Sequence, residues 1–200
     1  MLRDNDPAVW PPVPALSAEE RHTLLRLARQ AVQEFLRTGR RLRHATDSPA
    51  LQQPRATFVT LRRRRSGELR GCRGECLARQ PLVESVPNMA IASATDDPRF
   101  LPVTLDELPD LVIEISALSP PARIAPGQVV VGRHGLLLIK GDHLGVLLPE
   151  VPESQGWDRQ QFLAGLCRKA GLPEHTWESP DVELYAFETE SWTEDEDDRS

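Results

Sequence analysis

Cys72 stands between two glycines and two arginines in the run Gly67-Glu68-Leu69-Arg70-Gly71-Cys72-Arg73-Gly74. A thiolate is the nucleophilic form of cysteine, and a nearby guanidinium favours it over the thiol. Glycine amides beside it can donate to a developing oxyanion. On an extended strand Arg70 and Cys72 share a face while Arg73 points away, so Arg70 is the expected neighbour of the thiol. The same cysteine can also be a small apolar residue packed against a helix, since free cysteine is often buried. A nucleophile needs a base. His134 and His143 lie in turn-like segments and are candidates, although no spacing specifies a catalytic pair. Cys72 and Cys76 could begin a metal site with either histidine, but no second Cys/His pair follows at ligand spacing. No metal and no cofactor is therefore expected. Cys167 falls on the apolar side of a helix and reads as core.

The elements that position Cys72 follow from pattern. Ser17-Ala18-Glu19-Glu20 is a capping box. The helix after it places Leu24, Leu27, Ala28, Ala31, Val32 and Phe35 on one face and stops at Gly39. Ala56 to Leu61 reads as a strand, Ser66-Gly67 as a hairpin turn, and Glu68 to Gly74 as the second strand, which carries Cys72. Leu82, Val83, Val86, Ala90, Ile91 and Ala94 suggest a helix in which Pro87 makes a kink or break. Asp96, Asp97 and Arg99 form a turn network. Thr104 to Glu107 is a second capping box, opening a short helix that ends near Pro109. Leu111 to Leu118 alternates as a strand. Val129 to Val131, Leu136 to Ile139 and Leu144 to Leu148 read as three short strands. Asp158 caps a helix with Phe162, Leu163, Leu166, Cys167 and Ala170 inward, and the last strand covers Val182 to Glu188. Helices and strands are interspersed with hairpin-like connections, which predicts an α+β fold with mostly antiparallel pairing.

Two hundred residues suffice for one domain with a core, or for a domain with a sub-domain. No apolar run is long enough to span a bilayer, and the first residues have no export-signal pattern. Three cysteines without such a signal point to a reducing, cytoplasmic setting. The net charge of −6 concentrates at the end of the chain. Residues 188–200 hold seven acids and one base, and the remainder carries 23 of each sign. The body therefore lacks the bulk charge that drives nucleic-acid binding. Arg62 to Arg65 could hold phosphates, but aromatic residues interleaved for base stacking are missing, so the four read as a solvated turn. Residues 1–16 are a proline-rich lead-in, and 193–200 read as an acidic disordered tail.

Phe58-Val59-Thr60-Leu61 and Gly67 to Gly74, followed by Asp97-Pro98-Arg99-Phe100, Ile113-Glu114-Ile115-Ser116, Val131 to Leu136, Leu147-Leu148-Pro149 and Lys169-Ala170-Gly171-Leu172, resemble the signature of the AMMECR domain family. The likeness runs in order over residues 17–192. It is strongest to prokaryotic single-domain members, some of which are called protein A of the AmmeMemoRadiSam system after an association with a Memo-type protein and a radical SAM protein. The resemblance implies a larger helix-and-sheet unit and a smaller, β-rich one, with the Cys72 segment near a cleft between them. It also implies Arg70, Gly71, Gly74, Asp97 and Arg99 as cleft or substrate-binding residues, Memo-like and radical SAM proteins as partners, and a small molecule or peptide as substrate. The sequence departs from the family pattern at Arg73, where an apolar residue is usual, and at Glu150, where glutamine is usual. Arg73 must then face solvent or pair with a carboxylate, and Glu150 is one candidate. Two functions stay open: a component of a system that modifies a small molecule or peptide with Cys72 at the cleft, and a non-catalytic binding or adaptor protein in which the Cys72 segment is structural.

Overall fold

A computed structural model describes residues 15–194. The chain divides into two units, one formed by residues 15–118 and 190–194, the other by 119–189. The larger unit begins with α1 (Ala18–Thr38). Its capping box closes as expected: the Ser17 hydroxyl accepts the Glu20 amide, and the Glu20 carboxylate accepts the Ser17 amide. Gly39 ends the helix at φ 73°, a left-handed conformation that costs glycine little. The hairpin β1 (Thr57–Arg63) and β2 (Leu69–Gly74) follows, then α2 (Leu82–Thr95) and β3 (Leu111–Leu118). The last strand, β8 (Thr189–Thr193), completes a sheet of order β2-β1-β3-β8. Val59, Leu61, Leu111, Ile113, Ile115 and Ala117 alternate onto one face and join residues of α1 and α2 in a single core.

In the smaller unit β4 (Ala122–Arg123), β5 (Gly135–Lys140), β6 (His143–Leu147) and β7 (Glu183–Phe187) form a sheet of order β4-β7-β5-β6. Leu136 and Leu138 of β5 pack with Phe162, Leu163, Leu166 and Cys167 of α4 (Arg159–Lys169). A short helix, α3 (Glu150–Gln155), precedes α4. β1 pairs antiparallel with β2 and β3, and β7 with β4 and β5, as does β5 with β6. The architecture is the expected α+β one, with a larger helix-and-sheet unit and a smaller β-rich one.

Three local expectations change, and a fourth is narrowed. Of the kink or break expected at Pro87, the break does not occur: Pro87 lies inside α2 without ending it. It lacks only the amide that would reach the Val83 carbonyl one turn back. Val129 to Val131 is not a strand. A 3-10 turn, Pro126–Gln128, leads into it, and the Val130 carbonyl takes the amides of Arg133 and His134. The Thr104 box opens a turn and a 3-10 segment, Leu108–Asp110, not an α-helix. The terminal acids also belong partly to the fold. Glu188 binds Arg133, Glu190 binds Arg21 and Arg55, and Glu194 binds Arg29. The expected lead-in lies almost wholly outside the described residues, as does the tail beyond Glu194. No helix among the described residues is long and apolar enough to cross a membrane.

Candidate functional site

β2 is an edge strand, hydrogen-bonded to β1 on one side. In its register Cys72 faces Thr60 and Arg73 faces Val59. A serine from α2 enters this ladder. The Ser93 hydroxyl accepts the Arg73 amide at 2.8 Å and stands 2.7 Å from the Val59 carbonyl and 2.8 Å from that of Met89. Gly71 makes that approach possible, because a Cβ there would run into the Ser93 carbonyl oxygen. Gly74 is covered in turn by the ring of Phe58. The space beside both glycines is thus filled by the protein itself.

With the Arg73 amide directed toward β1, the Cys72 amide points to the open edge. There it donates to Asp97 Oδ2 at 2.8 Å. Asp97 sits in the turn just after α2 and is buried. Its Oδ1 also accepts the Arg99 amide and Nε, at 3.1 and 3.0 Å, and its Oδ2 accepts Arg99 Nη2 at 2.7 Å. The Arg99 bonds, helped by the Cys72 amide, hold the Asp97 carboxyl far below the usual carboxylate range despite its burial. The expected turn network is real, and it also fixes the backbone of the signature cysteine.

The Cys72 side chain is half-buried on the sheet face opposite α1 and α2. The Thr60 hydroxyl donates to its Sγ at 3.3 Å. Arg99 is the arginine in its field: the Arg99 pKa is raised chiefly by Asp97, with a smaller contribution from the Cys72 charge. Arg70, the expected neighbour, is committed elsewhere. Its guanidinium is almost fully buried and grips Glu107 through Nε and Nη2, at 3.1 and 3.0 Å. It also donates to the Leu101 carbonyl at 3.0 Å and lies 5.9 Å from the Phe100 ring centre. Those bonds, more than any other cause, hold Glu107 down to about 2. Arg70 therefore staples the 97–107 loop to β2, because a buried guanidinium needs a carboxylate and carbonyls to replace its water.

The remaining candidates separate. His134 and His143 belong to the 119–189 unit and have local partners there. His134 Nδ1 accepts the Val130 amide at 3.2 Å, and its burial lowers its pKa. His143 Nδ1 lies 3.0 Å from the Ala170 carbonyl. Arg73 is exposed, the first of its two expected outcomes. Cys167 is fully buried, and burial pushes its thiol up. Among the described residues no three His, Cys, Asp or Glu side chains are grouped as metal ligands. Thr60, Ser93 and Glu107 were not anticipated as partners of the signature. The pairing of β1 with β2 would have found Thr60, since a cross-strand neighbour follows from register.

A family model described as AMMECR1 matches residues 25–192. The chain belongs to the AMMECR1 family. It is 41% identical to Protein MK0488 of Methanopyrus kandleri over 189 residues, which cover 90% of this chain and 91% of that one. It is 44% identical to Protein PH0010 of Pyrococcus horikoshii over 182 residues, or 86% of this chain and 88% of the relative. The crystal structure of the uncharacterized protein PH0010 superposes with a TM-score of 0.78, covering 86% of this chain and 90% of that one.

Proposed function

We propose that this AMMECR1-family protein is the thiol-bearing component of a Memo- and radical SAM-associated system that modifies a small molecule or peptide, with Cys72 as nucleophile or covalent acceptor. One observation carries the reading: a half-buried sulfur that accepts the Thr60 hydroxyl in the field of Arg99, on a backbone that buried Asp97 holds still. The thiolate would attack an electrophilic carbon, forming S–C as the bond to the leaving group breaks and that group departs with the electron pair; the thiol proton goes to solvent. Support for the partners is the resemblance to proteins associated with Memo-type and radical SAM proteins.

A second reading has its own observation. Arg70, Gly71 and the amides of Cys72 and Arg73 are all used in packing, as they would be in an adaptor whose signature is purely structural. Alkylation of the folded protein with iodoacetamide, read peptide by peptide by mass spectrometry, separates the two. Cys72 is expected to react ahead of Cys76 and Cys167, and Arg99→Gln is expected to slow it at pH 7. A Cys72 that stays inert until the chain unfolds refutes the catalytic reading. Affinity purification from the native host tests the partners.

A further inference from the structure

The face of the β2-β1-β3-β8 sheet that carries Cys72 continues into a cavity. Cys72 stands opposite Thr60, and Thr60 stands opposite Glu114 on β3. Side chains directly opposite on neighbouring strands are about 4.5–5.5 Å apart at Cβ, so thiol, hydroxyl and carboxylate form one row. Two residues further along β1, roughly 7 Å away, Arg62 emerges on the same face opposite Val112. Its Nε donates to Glu114 at 3.0 Å, and its Nη1 reaches the Gly67 carbonyl at 3.5 Å. A cavity of about 390 Å³ opens here, lined by Arg62, Arg63, Arg64, Glu114, Ser191 and Trp192 among others, all in the larger unit. Its volume lies in the range of small-ligand sites.

The lining is rich in arginine, with Glu114 among it. Arg62 and Arg63 are each about half exposed, and each has one carboxylate partner, Glu114 and Glu107 respectively. A guanidinium carries five N–H donors, and one carboxylate together with one carbonyl does not use them all. Glu114 orients the Arg62 fork and leaves Arg62 N–H donors for a ligand. The Ser116 and Ser191 hydroxyls, 2.8 Å apart, add polar groups on the same sheet. Trp192 does not offer a stacking platform. It is 5% exposed, with its indole N–H on the Arg21 carbonyl. A nucleic-acid base has no aromatic face to rest on here, which leaves the oxyanion of a small molecule or peptide.

We propose that this cavity is the anion subsite of the Cys72 centre, binding a carboxylate or phosphate of the substrate through Arg62 so that the electrophilic end lies toward the thiol. The inference rests on the thiol reading above, and two measurements keep them apart. The first compares iodoacetate with neutral iodoacetamide at Cys72. The iodoacetate-to-iodoacetamide rate ratio at Cys72 should exceed that of free cysteine by about tenfold. Arg62→Gln, and the charge-balanced pair Arg62→Gln with Glu114→Gln, should bring it back toward the free-thiol ratio, whereas Arg62→Lys should keep it raised. The second titrates inorganic phosphate and malonate into Cys72→Ser by calorimetry, where thiol reactivity plays no part. Saturable binding of either anion, lost in Arg62→Gln, supports the subsite and shows which oxyanion it takes. Reactive Cys72 with no anion preference and no saturable binding overturns the subsite and leaves the thiol reading intact. Anion binding beside an inert Cys72 overturns the link to the thiol. Tighter binding of a single-stranded oligonucleotide than of either anion overturns the substrate class.

Discussion

Asp97→Asn is the most informative single change, because one buried carboxylate holds both the signature strand and its nearest arginine. Asp97 accepts four hydrogen bonds: from the Cys72 amide, the Arg99 amide, and Arg99 Nε and Nη2. Asparagine keeps the shape but turns an N–H₂ toward two of these donors. If its oxygen stays on the Arg99 amide and Nε, the Cys72 amide loses a charged acceptor, which costs about 1.5–3 kcal/mol. The Asp97–Arg99 ion pair adds little, because the Arg99 side chain is 55% exposed, and about 0–1 kcal/mol is typical of such pairs. The sum is about 1.5–4 kcal/mol. In a chain of this size that lowers Tm by about 3–16 °C. Urea unfolding of the full chain measures it.

The pH dependence gives an independent check. The folded-state pKa of Asp97 is depressed well below the unfolded value of about 3.9. The unfolded chain therefore binds this proton more readily than the folded one. The stability due to the carboxylate is fully present above about pH 4 and disappears as the pH falls through the folded pKa. The gap between wild type and Asp97→Asn should be flat from pH 5 to 7 and close progressively below pH 4. A loss under about 1 kcal/mol at pH 7, or a gap that does not narrow in acid, would show that Asp97 is not the strut described here.

Gly71→Ala should destabilise by at least about 1–3 kcal/mol, since the new methyl meets backbone rather than a movable side chain; a circular-dichroism melt within 1 °C of wild type would refute the close approach of α2. Ser93→Ala leaves the Arg73 amide and Val59 carbonyl without their bridge, at about 1–3 kcal/mol per unsatisfied group, and should raise hydrogen exchange at the Arg73 amide while the β1–β3 amides stay protected.

The sequence announces those features whose cause is local. Ser17 with Glu20 and Asp158 with Gln161 cap their helices through bonds spanning three residues. Period-two alternation in β3 predicts its inward residues because burial there follows strand geometry. What stays illegible depends on partners far along the chain. The sequence places its last strand at Val182 to Glu188, yet Thr189–Thr193 forms β8, and Glu190 and Glu194 meet arginines on α1 and before β1, more than 130 residues away. α3 has six residues with Pro152 inside, too short for a helical period to show. Arg70 is the instructive error. Alternation would put it on the Cys72 face, but the register breaks between Leu61 and Arg62: Gly71 faces Leu61 and Leu69 faces Arg62, which leaves Arg70 without a partner in the ladder, and its buried guanidinium goes to Glu107.

The two cysteines with defined surroundings show what this arrangement does for the thiol. Cys167 is shut into the core of α4, where burial penalises the thiolate and no arginine compensates. Cys72 receives a hydroxyl hydrogen, stands near Arg99, and keeps part of its surface. Around it, Arg70 secures the 97–107 loop, Gly71 admits the Ser93 hydroxyl, and the amides of Cys72 and Arg73 are taken by Asp97 and Ser93. The architectural role of the signature is thus discharged by backbone and by the neighbours of Cys72. Packing does not require the sulfur: a serine or alanine at this position would leave the Asp97 and Ser93 bonds in place.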